Sequence, residues 1–401
     1  MFILFSIRLF TCITLVIRVK RLLLFAAPSV KHNFEDEAMY DVILAYNGGK
    51  GKAFLERISG KKPLFVCTLG TTETGKISGI SAAGANPQIT DYTPPADIEL
   101  LLLGKCKCIS GVPVTPDGIP TPALVTMSAL KLADIPTLPV NAGLRILPHV
   151  PFLELGAKPG RDIRTGKAVD NVEEVLAQAK LAGEILSKTV DYLVIGESIP
   201  GGTTTALGVL LAMGINARGK VSSSMPRNPH DLKIKTVEEG LKALQLDFGA
   251  LKNDPLRAVS CVGDPMMPAF AGLVLGAAQR VPVLMAGGTQ MGAVLAVVNA
   301  VNPLVLGNVA IGTTRWIVTD KTSDLKVIVS QIADVPILAA DLDFSCSKFD
   351  GLKAYEAGVV KEGVGVGGAT ISAMAKSRGV ITKKTMLAEV ERNYQQLINS
   401  I

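Results

Sequence analysis

Aromatic residues are scarce in this 401-residue chain, 5% against 48% apolar residues in total, so its core must be assembled from Ala, Val, Leu, Ile and Gly. That mixture suits helices packed closely on a parallel sheet. Histidine is scarcer still: His32, His149 and His230 are the only three. A histidine-rich metal centre is thereby excluded, and each reads as a surface or packing residue. The six cysteines include one close pair, Cys106 and Cys108, with no second pair at metal-ligand spacing. Zinc and redox chemistry give way to ordinary thiols in a reducing compartment, and neither a metal nor a cofactor is expected. Charge of one sign is also lacking: 41 basic and 35 acidic residues leave a net +6. No stretch joins clustered Lys or Arg to interleaved aromatics, which excludes a nucleic-acid footprint.

Uninterrupted apolar runs of membrane length are missing too. Residues 1–27 are apolar but carry Arg8, Arg18, Lys20 and Arg21. The uncharged stretch from Leu9 to Ile17 falls far short of the about 20 residues a spanning helix needs. Residues 1–38 therefore read as an extension: a targeting segment, an anchor or a non-native start ahead of Met39, where MYDVILAYN opens a first strand. The expected location is cytoplasmic, with organelle targeting by residues 1–38 as the alternative. A second apolar interval, Val281 to Thr314, holds no charged residue. Pro282, Gly287, Gly288, Gln290, Asn299, Asn302, Pro303 and Asn308 cut it into strand- and helix-length pieces, which is the pattern of a buried core and not of a membrane protein.

Short apolar runs ending in Gly or a small polar residue do recur: PLFVCTLG (63–70), ELLLLG (99–104), DYLVIGES (191–198), AVSCVGD (258–264), VPVLMAGG (281–288) and VPILAAD (335–341). They read as buried parallel strands. Helical patterns lie between them over 172–187, 203–213, 237–246, 268–279, 291–301 and 384–399. This alternation predicts an α/β fold, a three-layer doubly wound and mainly parallel sheet with right-handed crossovers. Residues 39–401 form its domain, and the Pro- and Gly-rich interval 71–164 makes a loop-rich subsidiary lobe.

In such sheets ligands bind beyond the carboxyl ends of the strands. The strongest local feature there is GESIPGGTTTALGVL (196–210), a strand, a glycine-rich turn and a helix. Unpaired N–H groups at the helix start favour an anion, Gly201 and Gly202 let it approach the backbone, and Thr203 and Thr204 supply hydroxyls. A tight turn with a threonine cap explains the same residues without a ligand. The Gly-Lys-Ser/Thr ending of a Walker loop is absent. CVGDPMMPAFAG (261–272), MAGGTQMGA (285–293) and KEGVGVGGATIS (361–372) repeat the arrangement, adding Asp264, Gly287, Gly288, Gly365 and Gly367 as candidate substrate contacts. Glu197, Asp264 and Glu362 are the acids beside these turns, each a candidate general base. Structural readings stand beside them: Glu197 orienting a threonine, Asp264 capping a helix before Pro265, Glu362 an exposed acid at a helix start, Lys233 on a solvated helix face.

The segment GESIPGGTTTA resembles the Gly-Glu-Met-Gly-Ile-Gly-Asn-Thr-Thr motif of the nicotinate-nucleotide:dimethylbenzimidazole phosphoribosyltransferase superfamily, with Glu197, Gly202, Thr203 and Thr204 matching. AFAGLVLGAAQRVPVLMAGG and KEGVGVGGATISA resemble its helix-arginine-strand segment and its Gly-Glu-Gly-Thr-Gly-Ala terminus. PDGIPTPAL and PGRDIRTG resemble an archaeal and cyanobacterial branch. The resemblance implies transfer of phosphoribosyl from nicotinate mononucleotide to an azole or purine base, yielding an α-ribotide for the cobamide lower ligand. It further implies the glycines and threonines as phosphate and ribose contacts and a homodimer, and the catalytic role is expected to fall to Glu362 as base, with Glu197 orienting or substituting for it. Three positions depart from the superfamily pattern. Val364 stands where its catalytic glutamate falls, with Glu362 two residues upstream. Met266 replaces the acid after Gly-Gly-Phe, and Ala286 replaces the Asp of Asp-Gly-Phe. The alternative these departures raise is a non-catalytic nucleotide-binding module in cobamide metabolism.

Overall fold

The computed structural model describes residues 40–84, 87–115 and 118–399; the expected extension over residues 1–38 lies outside them. Eight strands make one sheet among the described residues: β1 (Val42–Tyr46), β2 (Pro63–Leu69), β3 (Thr137–Asn141), β4 (Leu153–Glu154), β5 (Tyr192–Ser198), β6 (Val283–Ala286), β7 (Val309–Thr314) and β8 (Ile337–Ala340). Their spatial order is β1-β8-β7-β6-β5-β2-β3-β4. Each of these pairings is parallel except that of β1 with β8. The chain winds outward from β2 through β3 to β4, then returns to β5 and winds the other way to β8. The reversal between β2 and β5 leaves a crevice at their carboxyl ends, the place where open α/β sheets bind ligands.

Side chains alternate across the pleat, so Leu193 and Ile195 enter one core while Tyr192 and Val194 enter the other. The first core packs under the helices Val172–Leu186, Gly202–Ala212, Met266–Ala277 and Met291–Val301. The second packs under Gly48–Ile58, Ala123–Leu132, Val366–Lys376 and Lys383–Ile398. The sheet is therefore the middle of three layers, as the alternation of runs predicts. Residues 71–164 contribute β3, β4 and the helices Thr93–Leu103 and Ala123–Leu132 to this same body.

Two expected strands are helices. ELLLLG falls in the helix Thr93–Leu103, which opens with Pro94 and Pro95 in its first turn and ends at Gly104 with φ 68°. Leucine and glutamate lose little side-chain freedom in a helix, and proline at the start removes only an N–H that has no partner there. AVSCVGD falls in Pro255–Val262, where Pro255 again follows the cap and the Asp254 carboxylate accepts the N–H of Arg257. β3 and β7 emerge from stretches that the Pro and Asn residues around them disguised as loop.

Candidate functional site

At the end of β5 the chain turns through Gly201, whose φ of 88° places it in the left-handed region. A Cβ there would stand 2.7 Å from the Cα of Gly75, so glycine is required by space as well as conformation. The helix Gly202–Ala212 starts immediately afterwards, with its first N–H groups at the crevice. The strand ends of β6 and β7 lie alongside, and the helix Val366–Lys376 starts across from them: the backbones of Gly196 and Gly365 approach so closely that a Cβ on Gly365 would meet the Gly196 Cα at 3.1 Å. The segments after these strands and before that helix, with the helix Thr93–Leu103, wall a cavity of about 730 Å³.

Of the residues singled out from sequence, Glu197, Gly201, Gly202, Thr203, Gly288 and Glu362 line this cavity. Gly202, Gly288 and Glu362 thus meet in one place, although they lie far apart along the chain. Thr204, Asp264, Gly287, Gly365 and Gly367 stand behind the wall, which corrects their expectation as direct substrate contacts. Thr204 is fully buried, its hydroxyl without a hydrogen-bond partner. Asp264 is committed to structure: its carboxylate accepts the N–H of Met266 at 3.1 Å and of Met267 at 3.3 Å, and the hydroxyl of Thr205. The capping reading holds for it. Gly367 is glycine because a Cβ would overlap the Thr313 backbone.

Glu362 reaches the cavity through an unusual loop. Gly363, Val364 and Gly365 have φ of 149°, 53° and 68°, and a β-branched residue in the left-handed region is strained. This reversal carries the Glu362 carboxylate back over the start of the helix Val366–Lys376. There it accepts the N–H of Gly363 at 3.2 Å and of Gly367 at 3.3 Å, with the Thr313 hydroxyl at 3.4 Å. It is half-buried and faces the cavity, so it is no exposed helix-start acid.

Burial pushes the Glu362 carboxyl up to about 8 against those donors. Burial also pushes Glu197 up to about 8, reinforced by the charges of Asp264 and Glu362. No side-chain bond from Glu197 to a threonine is present among the described residues. Two carboxyls facing one cavity in this state hold protons at neutral pH and release them readily, the condition for general acid–base work.

Lys233 corrects the solvated-helix reading. It is fully buried, and its ammonium donates to the Thr203 hydroxyl at 2.7 Å and to the Ser222 carbonyl. Burial, with Lys361 nearby, pulls it down to about 7. It joins no ion pair among the described residues, so an anion bound at the Gly202 helix start would favour its charged form.

Sequence reasoning missed Asp97, Ser198 and the Ser222–Ser224 loop, all of which line the cavity. Asp97 accepts the Thr121 and Ser198 hydroxyls, each at 2.7 Å, and burial raises it to about 6 against those bonds. The available signal was an acid just ahead of ELLLLG, hidden because the prolines of TPPAD read as loop. Among the described residues no cluster of His, Cys, Asp and Glu is arranged to hold a metal ion, and no helix is long and apolar enough to cross a membrane.

These buried acids set a pH dependence. Glu197 and Glu362 titrate higher in the folded chain than in the unfolded one, so the folded state binds more protons. The stability they confer is full below their unfolded values near 4.5 and lost as pH rises through about 8. Glu197→Gln removes one such acid and is expected to stabilise the ligand-free protein at pH 9 by about 1–3 kcal/mol relative to wild type, with little gain at pH 5. Melting temperature measured across that range checks this; an equal shift at both ends would contradict it.

The family model described as "Phosphoribosyltransferase" (DBI_PRT) matches residues 132–315, which include β3, β5, β6, β7 and the glycine turns after β5 and β6. Over nearly their whole length, proteins of the UPF0284 family match as well. The one from Sulfolobus acidocaldarius is 45% identical over 86% of this chain and 99% of its own. That from Archaeoglobus fulgidus is 46% identical over 87% and 98%. In three dimensions the chain is similar to the nicotinate-nucleotide-dimethylbenzimidazole phosphoribosyltransferase from Thermus thermophilus, with a TM-score of 0.55 and 16% identity over 82% of this chain and 89% of that one. That likeness is one of fold. The chain belongs to the UPF0284 family, and its central part carries the DBI_PRT phosphoribosyltransferase match.

Proposed function

We propose that this phosphoribosyltransferase takes nicotinate mononucleotide as donor and an azole or purine base as acceptor, forming an α-ribotide of the kind used as a cobamide lower ligand. A ring nitrogen of the base attacks the ribose C1′ from the face opposite the pyridinium. The C1′–N bond to the pyridinium breaks, its electron pair stays on the ring nitrogen, and nicotinate leaves. The base's remaining N–H proton passes to a carboxylate. Because the pyridinium is already a good leaving group, positioning and proton removal are the main tasks left to the protein.

The observation that carries this reading is the meeting of Glu197, Glu362 and the Gly202 helix start around one cavity, with Lys233 buried directly behind the lining residues Thr203 and Ser222. Glu362 is the proposed base and Glu197 its partner, stabilising the oxocarbenium-like charge at C1′. Gly201, Gly202, Thr203, Gly288 and Lys233 are the proposed phosphate and ribose side. A homodimer, testable by light scattering, is the proposed assembly. Nicotinate mononucleotide incubated with candidate bases is expected to yield nicotinate and the ribotide. A folded sample that binds the nucleotide yet turns over none of them would favour the alternative, a non-catalytic binding module, to which the displacement of the glutamate from position 364 points.

Asp97 is the proposed contact for the far edge of the base. A carboxylate accepts and does not donate, so facing position 6 of a purine it favours a 6-amino group, which donates, over a 6-oxo group, which only accepts. Asp97→Asn, which can donate, is expected to shift the ratio of kcat/KM for adenine over hypoxanthine by at least about tenfold toward hypoxanthine. An unchanged ratio would remove Asp97 from that role.

A further inference from the structure

The sequence neighbour of the proposed base is a buried lysine, and what holds it is unexpected. Lys361 is 4% exposed, lines the cavity beside Glu362, and is bound at 2.6 Å to Asp320. Asp320 is saturated with donors besides: the N–H and hydroxyl of Thr322 at 2.9 and 2.7 Å, the Ser323 hydroxyl at 3.0 Å and the Asn228 amide at 3.3 Å. Asn228 in turn accepts the Ser223 hydroxyl at 2.6 Å. A polar chain thus runs from the loop bearing Glu362, through Asp320, to the Ser222–Ser224 loop on the nucleotide side. The Thr314 hydroxyl clamps the backbone by donating to the Lys361 carbonyl.

We propose that Asp320 is a positioning residue, which holds the Lys361 ammonium away from the Glu362 carboxyl and ties the loop of the base to the loop at the nucleotide. An ammonium beside a carboxylate favours the ionised form and draws its affinity for protons down. A base paired in that way would be too weak to take the proton from an azole. Asp320, bound directly to Lys361 and satisfied by four further donors, is the anion that claims the lysine.

The other charged or titratable groups around Glu362 are consistent with this division. Glu197 faces it from β5, Asp97 from the helix Thr93–Leu103, and Tyr355 from the segment before the loop, while Asp264 lies behind Glu197 and is held by its cap bonds. Lys233 is held by Thr203 and Ser222 on the far side. Lys361 is therefore the nearby cation whose placement is decided by a single acid.

The inference rests on Glu362 as the base, but its test does not need turnover. Carboxyl resonances of protein labelled with 13C-glutamate, assigned with Glu362→Gln, report the titration of Glu362 directly. In Asp320→Asn the titration midpoint of Glu362 is expected to fall by at least about one unit, and the acidic limb of the kcat/KM profile to move down with it. In Asp320→Asn with Lys361→Met both are expected to return toward wild type. Should Asp320→Asn fail to fold, Lys361→Met alone decides. Asp320 keeps its other four donors in that variant, and the Glu362 midpoint is expected to stay in place because the lysine was already neutralised. An unmoved midpoint in Asp320→Asn, a double variant that behaves like the single one, or a clear rise in Lys361→Met would each overturn the proposal. If wild type turns over no base while the resonances behave as described, the transferase reading fails and the placement of Lys361 stands.

Discussion

Glu362→Gln is expected to lower turnover by about 10²–10⁴-fold while binding of nicotinate mononucleotide persists. Glutamine keeps the size of the side chain and can still accept the Gly367 N–H through its carbonyl, so the loop 363–365 keeps its shape. What disappears is the capacity to take a proton. Because its desolvated position at the cavity wall raises Glu362 to about 8, wild-type kcat/KM is expected to climb with pH as the carboxyl ionises and to level off above that value. The glutamine variant is expected to lose this limb. Glu197, raised to a similar level and coupled to it, shares the transition, so the observed midpoint belongs to the pair. Stopped assays of nicotinate release from pH 5 to 10, with calorimetric titration of the nucleotide, check both parts. Full activity in the variant would remove Glu362 from the chemistry, and lost nucleotide binding would assign it to the ground-state complex.

Gly276→Val is expected to destabilise the fold by about 3–5 kcal/mol, at the upper end of what overpacking a core does. The helices Val172–Leu186 and Met266–Ala277 touch backbone to backbone. Glycines on their seam are filled from the other side: a Cβ on Gly272 would lie 2.5 Å from the Leu176 carbonyl, and Cβ atoms on Gly183 and Gly276 would overlap the carbonyl oxygens of Leu273 and Lys180. Neither carbonyl belongs to a side chain that could swing aside. Relief requires the helices to separate, opening voids along the first core. Gly307 is the control, since nothing lies within 4 Å of the position its Cβ would take. Gly307→Ala is expected to change stability by under about 1 kcal/mol, with any gain coming from the unfolded chain. Urea unfolding of both variants measures the contrast, and a mild effect at Gly276 would show that the seam yields.

Most of the sheet was legible because its signals are local. An apolar run closed by a small residue, then a stretch with helical spacing, identifies β2, β5, β6 and β8 whatever surrounds them. The same rule misplaced ELLLLG, where two prolines and the absence of β-branched residues were the better guide. β3 and β7 escaped because Pro139 and the asparagines near residue 308 carry a turn signal that tertiary pairing overrides.

The site divides along the same line. The glycine turn at Gly201 and the helix start at Gly202 follow from their own neighbours, and so did the expectation of an anion there. Lys233 and Asp97 did not, because each looks like an ordinary surface charge until segments far along the chain bury it.

Residue order alone determined the three-layer architecture, the strand-end turns and the family resemblance, since each depends on contacts within a few residues. Tertiary structure decided which acids face the cavity, which lysine is held by Asp320 and which is left unpaired. Burial and electrostatic coupling act through space: Glu197 feels Asp264, Glu362 and Asp97, and Lys361 is held by Asp320, across long stretches of chain.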